Sequence, residues 1–341
     1  MTAPTRIGLM GFGRIGRNLF RILYKSDDVR IVAISDTADP AALEYLLRFD
    51  TLLGRFPDEV SVRDGNLYAW GRQVRLLQGE HPGDVPWGDL GVDVVVEATS
   101  RLRGRRELER HLERGARRVV LCSPAADPPD LTVVVGINDQ ELRPEHRIVS
   151  NSSCTAHAAA PVLRILEDAF GIERAFLTSV HAYTNQQRLA DVPTEDLRTG
   201  RAAAENIIPQ HTNAPLILED LLPELRGRIR GMAMNVPVPN GSVVDLVSWH
   251  RRPVTKVAIN EVVRTAAAGR FPGILAYEDA PLVSSDIVRS SYSGTFDGDA
   301  TMVLGDRVSK TLCWFDNGWG YAHRAVDLIR RFSRLEQEAA A

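Results

Sequence analysis

Cysteine is scarce in this 341-residue chain: Cys122, Cys154 and Cys313 are all it has. An odd number at such wide spacing fits neither a disulfide framework nor a zinc knuckle, both of which need paired thiols close in sequence. The eight histidines are scattered, so no metal is expected. Long apolar runs are missing too. Nothing approaches the ~20 residues needed to span a bilayer, and Met1–Arg6 lead into a strand pattern rather than a leader. A reducing cytoplasm is the expected location, with no membrane partner. Charge of one sign is also lacking: a net charge of −3, with no basic stripe carrying interleaved aromatics, argues against nucleic acid. Neither an internal repeat nor a low-complexity tract occurs.

What is present is enough for two cores. The hydrophobic share is 44% and the charged share 25%, and at about 100–200 residues per domain the length suggests two domains. Buried-strand runs at Ile7–Met10, Val29–Ile34, Val92–Glu97 and Arg118–Cys122 alternate with helical stretches at Arg14–Tyr24 and Arg105–Arg114. That order predicts an α/β fold whose first domain, residues 1–151, is a Rossmann-type doubly wound parallel sheet. After a helix from Cys154 to Phe170, the runs Ala175–Ala182, Gly231–Val238 and Ser242–His250 read as longer strands. They predict an α+β catalytic domain over 152–317 with a mostly antiparallel sheet covered on one face. The polar segment Tyr183–Asn213 reads as a functional or interfacial loop, and a C-terminal helix within 318–341 is expected to pack back on the first domain.

The first motif is Gly11-Phe-Gly-Arg-Ile-Gly16, which follows a strand and opens a helix. Its glycines permit a tight turn, close approach of a pyrophosphate and tight helix packing, while the helix amides receive the phosphates. Asp36 stands twenty residues after Gly16, at the end of the next strand, where a carboxylate accepts hydrogen bonds from an adenosine ribose and repels a 2′-phosphate. NAD is therefore favoured over NADP. Arg101, Arg103, Arg105 and Arg106 either offset that repulsion or form a solvated helix start.

The second constellation is Cys154, at the start of a helix in Ile148-Val-Ser-Asn-Ser-Ser-Cys-Thr-Ala-His-Ala-Ala-Ala-Pro161, with His181 after the apolar run Phe176–Val180. A free thiol has a pKa of roughly 8.5, and helix-start amides, the dipole and a nearby imidazolium favour the anion. The pair reads as a thiolate nucleophile and its base, attacking a carbonyl to which the glycine loop brings a redox cofactor. The bland alternative makes Cys154 a small hydrophobe and His181 a strand residue.

Several motifs stand in order along nearly the whole chain: Gly11-Phe-Gly-Arg-Ile-Gly-Arg17, Trp87-Gly-Asp-Leu-Gly-Val-Asp93, Ser153-Cys-Thr155, Val180-His-Ala-Tyr-Thr-Asn185, Arg201-Ala-Ala-Ala204, Asn206-Ile-Ile-Pro209, Val236-Pro-Val-Pro-Asn240 and Trp314-Phe-Asp-Asn-Gly-Trp-Gly-Tyr321. By them the chain resembles the phosphorylating glyceraldehyde-3-phosphate dehydrogenase family. The resemblance implies a nicotinamide-binding first domain, a catalytic second domain and a homotetramer in which Tyr183–Arg201 lies near a neighbour's cofactor. The implied catalytic pair is Cys154 and His181. The cofactor residues are Gly11, Gly13, Arg14, Ile15, Gly16, Asp36, Thr99, Cys122 and Asn317, the last meeting the nicotinamide carboxamide. The substrate residues are Ser153, Thr155, Thr184, Thr212, Asn213 and Asn235. The implied reaction runs from a Cys154 hemithioacetal, by hydride transfer to NAD, to a thioester that phosphate cleaves; the Cys154 amide is a candidate oxyanion donor.

The departures from that family point elsewhere. It fixes two anions with arginines at the places held here by Thr199 and Asn235; the aspartate beside the second arginine is Gln186, and the glycine after Thr212 is Asn213. A charge-assisted contact is worth about 1.5–3 kcal/mol, so each loss weakens anion handling by roughly 10–100-fold unless Arg198 or Arg201 compensates. The leading expectation is NAD-dependent oxidation of a short sugar-type or phosphorylated aldehyde through a Cys154 thioester, with an altered substrate or acyl acceptor: water, another thiol or inorganic phosphate. The alternatives are an ordinary or inhibitor-resistant glycolytic isoenzyme, and a non-catalytic NAD-binding sensor or interaction protein. His157, three residues after Cys154, either tunes the thiolate or is structural. Ala158 stands where the family has a second cysteine, which removes a site for an intrahelical oxidation product.

Overall fold

The computed structural model describes residues 3–185 and 187–340. Contacts divide the chain into two units, one running to Ser152 and joined by the chain from Ala322 onward, the other comprising Ser153–Tyr321. The first contains β1 (Thr5–Met10), α1 (Arg14–Leu23), β2 (Val29–Ser35), α2 (Pro40–Arg48), a small hairpin β3 (Phe49–Asp50) and β4 (Gly54–Arg55), then β5 (Val60–Arg63), β6 (Asn66–Ala69) and β7 (Arg72–Leu77). It continues with β8 (Val94–Glu97), α3 (Arg105–Glu113), β9 (Arg118–Leu121), β10 (Leu131–Thr132) and β11 (Ile148–Ser150).

Nine of these strands form one sheet in the order β10-β11-β9-β8-β1-β2-β7-β6-β5. The neighbours from β10 through β7 are parallel. Every residue of β8 and β9 is buried, as expected of strands covered on both faces. The chain moves outward from β1 through β2 to β7, then returns to β8 on the other side of β1, so the strand order reverses between β1 and β8. The antiparallel meander β5–β7 was not read from the sequence. Its turns are Asp64-Gly65 and Trp70-Gly71, with φ of 51° and 69°, and of 50° and 71°, the doubly left-handed geometry of a type I′ hairpin.

The second unit contains α4 (Cys154–Phe170), β12 (Ile172–Ala182), β13 (Ile208–Gln210), α5 (Ala214–Leu221), β14 (Ile229–Val236), β15 (Ser242–His250), α6 (Lys256–Gly269), β16 (Leu275–Glu278), β17 (Gly294–Leu304) and β18 (Val308–Phe315). Its sheet runs β13-β14-β12-β15-β18-β17-β16. The β12–β14 and β16–β17 pairs are parallel and the other four antiparallel. Strand β14 stops at Val236, short of the expected Val238, because Pro237 and Pro239 cannot donate to a ladder. Along β12 the side chains of Ala175, Leu177 and Ser179 are buried while Phe176 is exposed, the period of a sheet covered on one face. The segment 183–213 is not all loop: it holds β13 and an isolated bridge between Arg188 and Ala202.

The final helix, α7, spans Trp319–Ala340. Ala322, Ala325, Val326, Ile329 and Phe332 form its buried stripe, at the 3–4 spacing of an amphipathic helix. Its Ser333 hydroxyl accepts from Thr5 Oγ1 (2.9 Å) of β1, and Arg330 donates to both Asp28 oxygens (2.6 and 3.2 Å). Among the described residues no helix is long and apolar enough to cross a membrane.

Arg330 holds the Asp28 carboxyl down to about 2, against an ordinary value of 3.8. A depressed carboxylate stabilises the fold fully above the unfolded value, and that contribution disappears as pH falls through the folded one. Asp28→Asn should therefore lower the urea midpoint at pH 6 by a small amount, under about 1 kcal/mol for so exposed a pair. The difference from wild type should close between pH 4 and pH 2; a difference that persists at pH 2 would assign the effect to packing.

Candidate functional site

Helix α4 begins where the sequence offers a cap. Ser153 is extended (φ −128°, ψ 154°) and its Oγ accepts from the Ala156 amide (3.1 Å), satisfying one of the donors that a helix start leaves unpaired. Just ahead, Ser152 takes φ of 54°, a left-handed conformation that turns the chain into the helix. Cys154 is then the first helical residue. Thr155 meets Ser179 across from β12 (Oγ1 to Oγ, 3.2 Å), and two residues on, the same face of β12 carries His181.

Cys154 Sγ lies 3.5 Å from His181 Nε2. The other ring nitrogen, Nδ1, is 2.6 Å from the Ala182 carbonyl oxygen. A carbonyl only accepts, so Nδ1 carries the hydrogen and Nε2 presents its lone pair to the thiol, the tautomer a base requires. The ring packs edge-on against Phe315, with centroids 5.9 Å apart. The Ala182 amide donates to Ser242 Oγ (3.0 Å), and Ser242 in turn donates to Asn317 Oδ1 (3.4 Å). Ala182, whose carbonyl orients the base candidate, is thus linked through its own amide and Ser242 to Asn317.

One part of the sequence reading is reversed. Burial pushes the Cys154 thiol up to about 11, while bonds from the Thr155 and Cys154 amides and the Thr155 hydroxyl pull it down without prevailing. The residue as a whole is only half-buried, but the desolvated sulfur is the atom that ionises. A helix start alone does not make a thiolate here; the acceptor within reach of the thiol proton is His181 Nε2. Cys122 and Cys313 are buried and burial raises both, Cys313 to about 12. Of the three, Cys154 is the least buried and the one that stands beside an imidazole.

Asn235 is buried on β14 and is the register partner of His181 on β12, so the two side chains share a face on strands about 4.8 Å apart. Its Nδ2 donates to Gln210 Oε1 (2.8 Å) on β13. The Thr184 amide and hydroxyl both donate to Gln187 Oε1 (2.7 and 3.0 Å). Gln186 lies outside the described residues. Thr212 Oγ1 accepts from the Ala214 amide (3.1 Å), and Asn213 caps α5 without a side-chain bond. Thr199 Oγ1 donates to the Asp196 carbonyl (2.9 Å). Arg201 pairs with Asp191 (3.1 Å), while Arg198 is exposed. The structure therefore sets neutral amides beside His181. Gln187 and Gln210 were missed from the sequence: Gln210 meets Asn235 through strand register, and Gln187 meets Thr184 across a local turn.

His157 is buried and sets its ring edge-on to Tyr321, 6.0 Å between centroids, a packing role. Ala158 is fully buried. A Cβ added to Gly294 would approach Ala158 Cβ to 3.5 Å and Cys313 Sγ to 2.5 Å, so this region demands small residues.

In the first unit, the glycine loop has the shape of a dinucleotide cradle. Gly11 takes φ of 95° and an added Cβ would lie 2.9 Å from the Thr99 nitrogen; at Gly16 it would lie 2.3 Å from the Gly11 oxygen. At Gly13 it would meet nothing within 4 Å, which leaves the approach that a pyrophosphate needs. Arg14 and Ile15 open α1, whose cap residue Gly13 offers no side-chain bond to the first amides. Asp36 is fixed by the Phe12 amide on Oδ2 (2.7 Å) and the Ala38 amide on Oδ1 (2.9 Å). These residues fit NAD, a carboxylate keeping lone pairs for a ribose. Thr99 spends its hydroxyl inside the protein, donating to Glu97 Oε1 (2.5 Å) and accepting from the Arg101 amide (3.2 Å). Cys122, directly after β9, donates its amide to the Glu97 carbonyl (2.8 Å). Arg105 is engaged by Asp130 (2.7 Å) and Glu109 (3.1 Å), while Arg101, Arg103 and Arg106 are exposed. Among the described residues no group of three or more His, Cys, Asp or Glu is arranged to hold a metal ion.

Comparison with known proteins agrees in both halves. The model of the family described as "Glyceraldehyde 3-phosphate dehydrogenase, NAD binding domain" matches residues 5–105, and that of its C-terminal domain matches residues 153–317. The chain is 45% identical over 324 residues to "Glyceraldehyde-3-phosphate dehydrogenase" of Geobacillus stearothermophilus, covering 95% of this chain and 96% of that protein. It is 45% identical over 326 residues to the protein of that name from Streptomyces coelicolor, and 44% over 331 residues to that from Mycobacterium avium, in each case covering 95% of this chain and 97% of the relative.

The assignment of His181 as the base makes a prediction that needs no cofactor. Iodoacetamide should alkylate wild-type Cys154 at neutral pH, whereas in His181→Gln the pH midpoint of alkylation should move upward. Equal midpoints in the two proteins would remove His181 from that role.

Proposed function

Because the chain belongs to the glyceraldehyde-3-phosphate dehydrogenase family, we propose that this NAD-dependent enzyme oxidises glyceraldehyde 3-phosphate in the cytoplasm through a thioester on Cys154. The observation that carries this reading is the 3.5 Å approach of Cys154 Sγ to the lone-pair nitrogen of a His181 held in one tautomer. The thiol proton passes to Nε2 as sulfur attacks the aldehyde carbon, and the hemithioacetal oxygen faces the amides at the start of α4. His181 returns that proton to the hemithioacetal oxygen and takes it back as the C–H hydride leaves, for which NAD, when bound, would supply the acceptor. The C–H bond breaks, the C=O bond forms, and a thioester is left on Cys154. Inorganic phosphate cleaves the thioester and regenerates the thiol. Substrate contacts from Ser153, Thr155, Thr184, Thr212, Asn213 and Asn235, and assembly as a homotetramer, belong to the same reading. Exposed Leu189 and Leu197 in the 183–213 segment support the assembly, and sedimentation at micromolar protein should give a tetramer.

A specific observation favours a second reading of the same chemistry. Asn235 and Gln210 form a neutral amide pair beside His181, and neutral amides cannot neutralise a phosphate dianion as a guanidinium does. On this reading the preferred aldehyde carries less charge, or the acyl group goes to a different acceptor. The names of the relatives favour the first reading.

NADH formation with glyceraldehyde 3-phosphate, with and without inorganic phosphate, separates the two. The first reading expects phosphate-dependent turnover that His181→Gln lowers by about 10²–10⁴-fold and Cys154→Ser abolishes. The second expects slow turnover indifferent to phosphate, with unphosphorylated glyceraldehyde used at least as well. NADH formation undiminished in Cys154→Ser would overturn both.

A further inference from the structure

Three side chains of the first unit are fully buried, polar and without a part in the chemistry above: Trp87, Glu97 and His111. Trp87 Nε1 lies 2.9 Å from His111 Nδ1. An indole nitrogen only donates, so Nδ1 is the unprotonated nitrogen and the ring hydrogen sits on Nε2. That hydrogen is directed at Glu97 Oε2, 3.2 Å away. The other carboxylate oxygen, Oε1, accepts from the Thr99 amide (2.8 Å) and hydroxyl (2.5 Å). With its hydrogen given to Glu97, Thr99 Oγ1 accepts from the amides of Arg101 (3.2 Å) and Leu102 (3.4 Å). The bonds converge on Glu97 of β8: Trp87, ahead of β8, donates to His111 of α3 and His111 donates to Glu97, while Thr99 in the turn that leaves β8 donates to Glu97 from the other side.

That turn occupies a particular place. In an open α/β sheet a ligand binds beyond the carboxyl ends of the strands, where the strand order reverses, and here the reversal falls between β1 and β8. The end of β1 continues into Gly11, and the turn after β8 stands directly against it, with the Thr99 nitrogen 2.9 Å from where a Gly11 Cβ would be. Ser100 completes the turn at φ of 62°, a left-handed conformation unfavourable for a residue with a Cβ. A buried carboxylate and imidazole add further cost unless their bonds are complete, and a core required only for stability is filled as well by apolar groups.

We propose that Trp87, His111 and Glu97 are positioning residues for the NAD cleft. Trp87 sets the His111 tautomer, His111 holds Glu97, and Glu97 holds the Thr99 turn in the shape that receives the dinucleotide beside Gly11. The proposal rests on the first unit binding NAD, and it assigns these residues to cofactor affinity, with no part in the reactivity of Cys154.

The test is fluorescence titration with NADH, run beside iodoacetamide alkylation of Cys154. His111→Phe removes both bonds; His111→Gln keeps an acceptor for Trp87 and a donor for Glu97. His111→Phe should weaken NADH binding about tenfold and raise KM for NAD in proportion, with kcat at saturating NAD and the alkylation rate within twofold of wild type. His111→Gln should recover most of the affinity. In wild-type protein, nitrogen-15 NMR should show His111 with a hydrogen on Nε2 and none on Nδ1. Should His111→Phe not fold, Trp87→Phe, which removes only the first donor, should weaken NADH binding about threefold and let the other tautomer appear. NADH affinity unchanged in the variant that folds, with only the unfolding midpoint lowered, would overturn the proposal. So would a parallel loss of alkylation, or failure of His111→Gln to recover. Wild-type protein that bound no NADH would instead defeat the family reading on which the proposal stands.

Discussion

A thiol removed from water resists ionisation, and desolvation holds the Cys154 sulfur near 11. The chemistry proposed for Cys154 therefore depends on a base fixed within reach of that sulfur, and much of the second unit holds His181 there. Strand β12 brings His181 to the start of α4, Ser179 ties Thr155 to the same strand, and the Ala182 carbonyl leaves His181 only one nitrogen with which to accept a proton. Ser242 then holds the Ala182 amide. The desolvation that opposes a free thiolate would, under the proposed function, also strengthen its attraction to an imidazolium.

The sequence was most legible where a backbone requirement leaves few residue choices. Gly11 and Gly16 are glycines because a Cβ would collide with Thr99 and with the Gly11 carbonyl, and such requirements appear in sequence as spacing. The start of α4 at Cys154 was also read, and there Ser153 supplies the acceptor that a helix start needs. Asp36 was expected at the end of β2 and stands there, fixed to the glycine loop through the Phe12 amide. Alternating apolar runs likewise marked the parallel strands of the first unit.

What stayed hidden depends on register and environment. That Asn235 faces Gln210 follows from how β13, β14 and β12 align, which no single strand encodes. The Cys154 thiol was misjudged because the helix-start amides are local and visible in sequence, whereas desolvation comes from residues far along the chain. Glu97 and His111 were read only as parts of a strand and a charged helix; their pairing with Trp87 requires α3 to dock on the segment before β8. Strands β17 and β18 escaped notice because mixed polar and apolar residues in long antiparallel ladders carry a weak period-2 signal.

The first unit is discontinuous in the chain, and this bears on how a ribosome delivers the protein. Domains fold as units during synthesis, ordinarily from the N-terminus. Here the sheet that begins with β1 still lacks the Ser333 and Arg330 bonds when β18 emerges, because α7 follows β18 in the chain. The second unit, continuous from Ser153 to Tyr321, has all its strands by then. Although the nucleotide-binding half is begun first, it is the later of the two to be completed, and its nascent sheet waits with the α7 docking surface exposed while the cysteine-bearing half is translated.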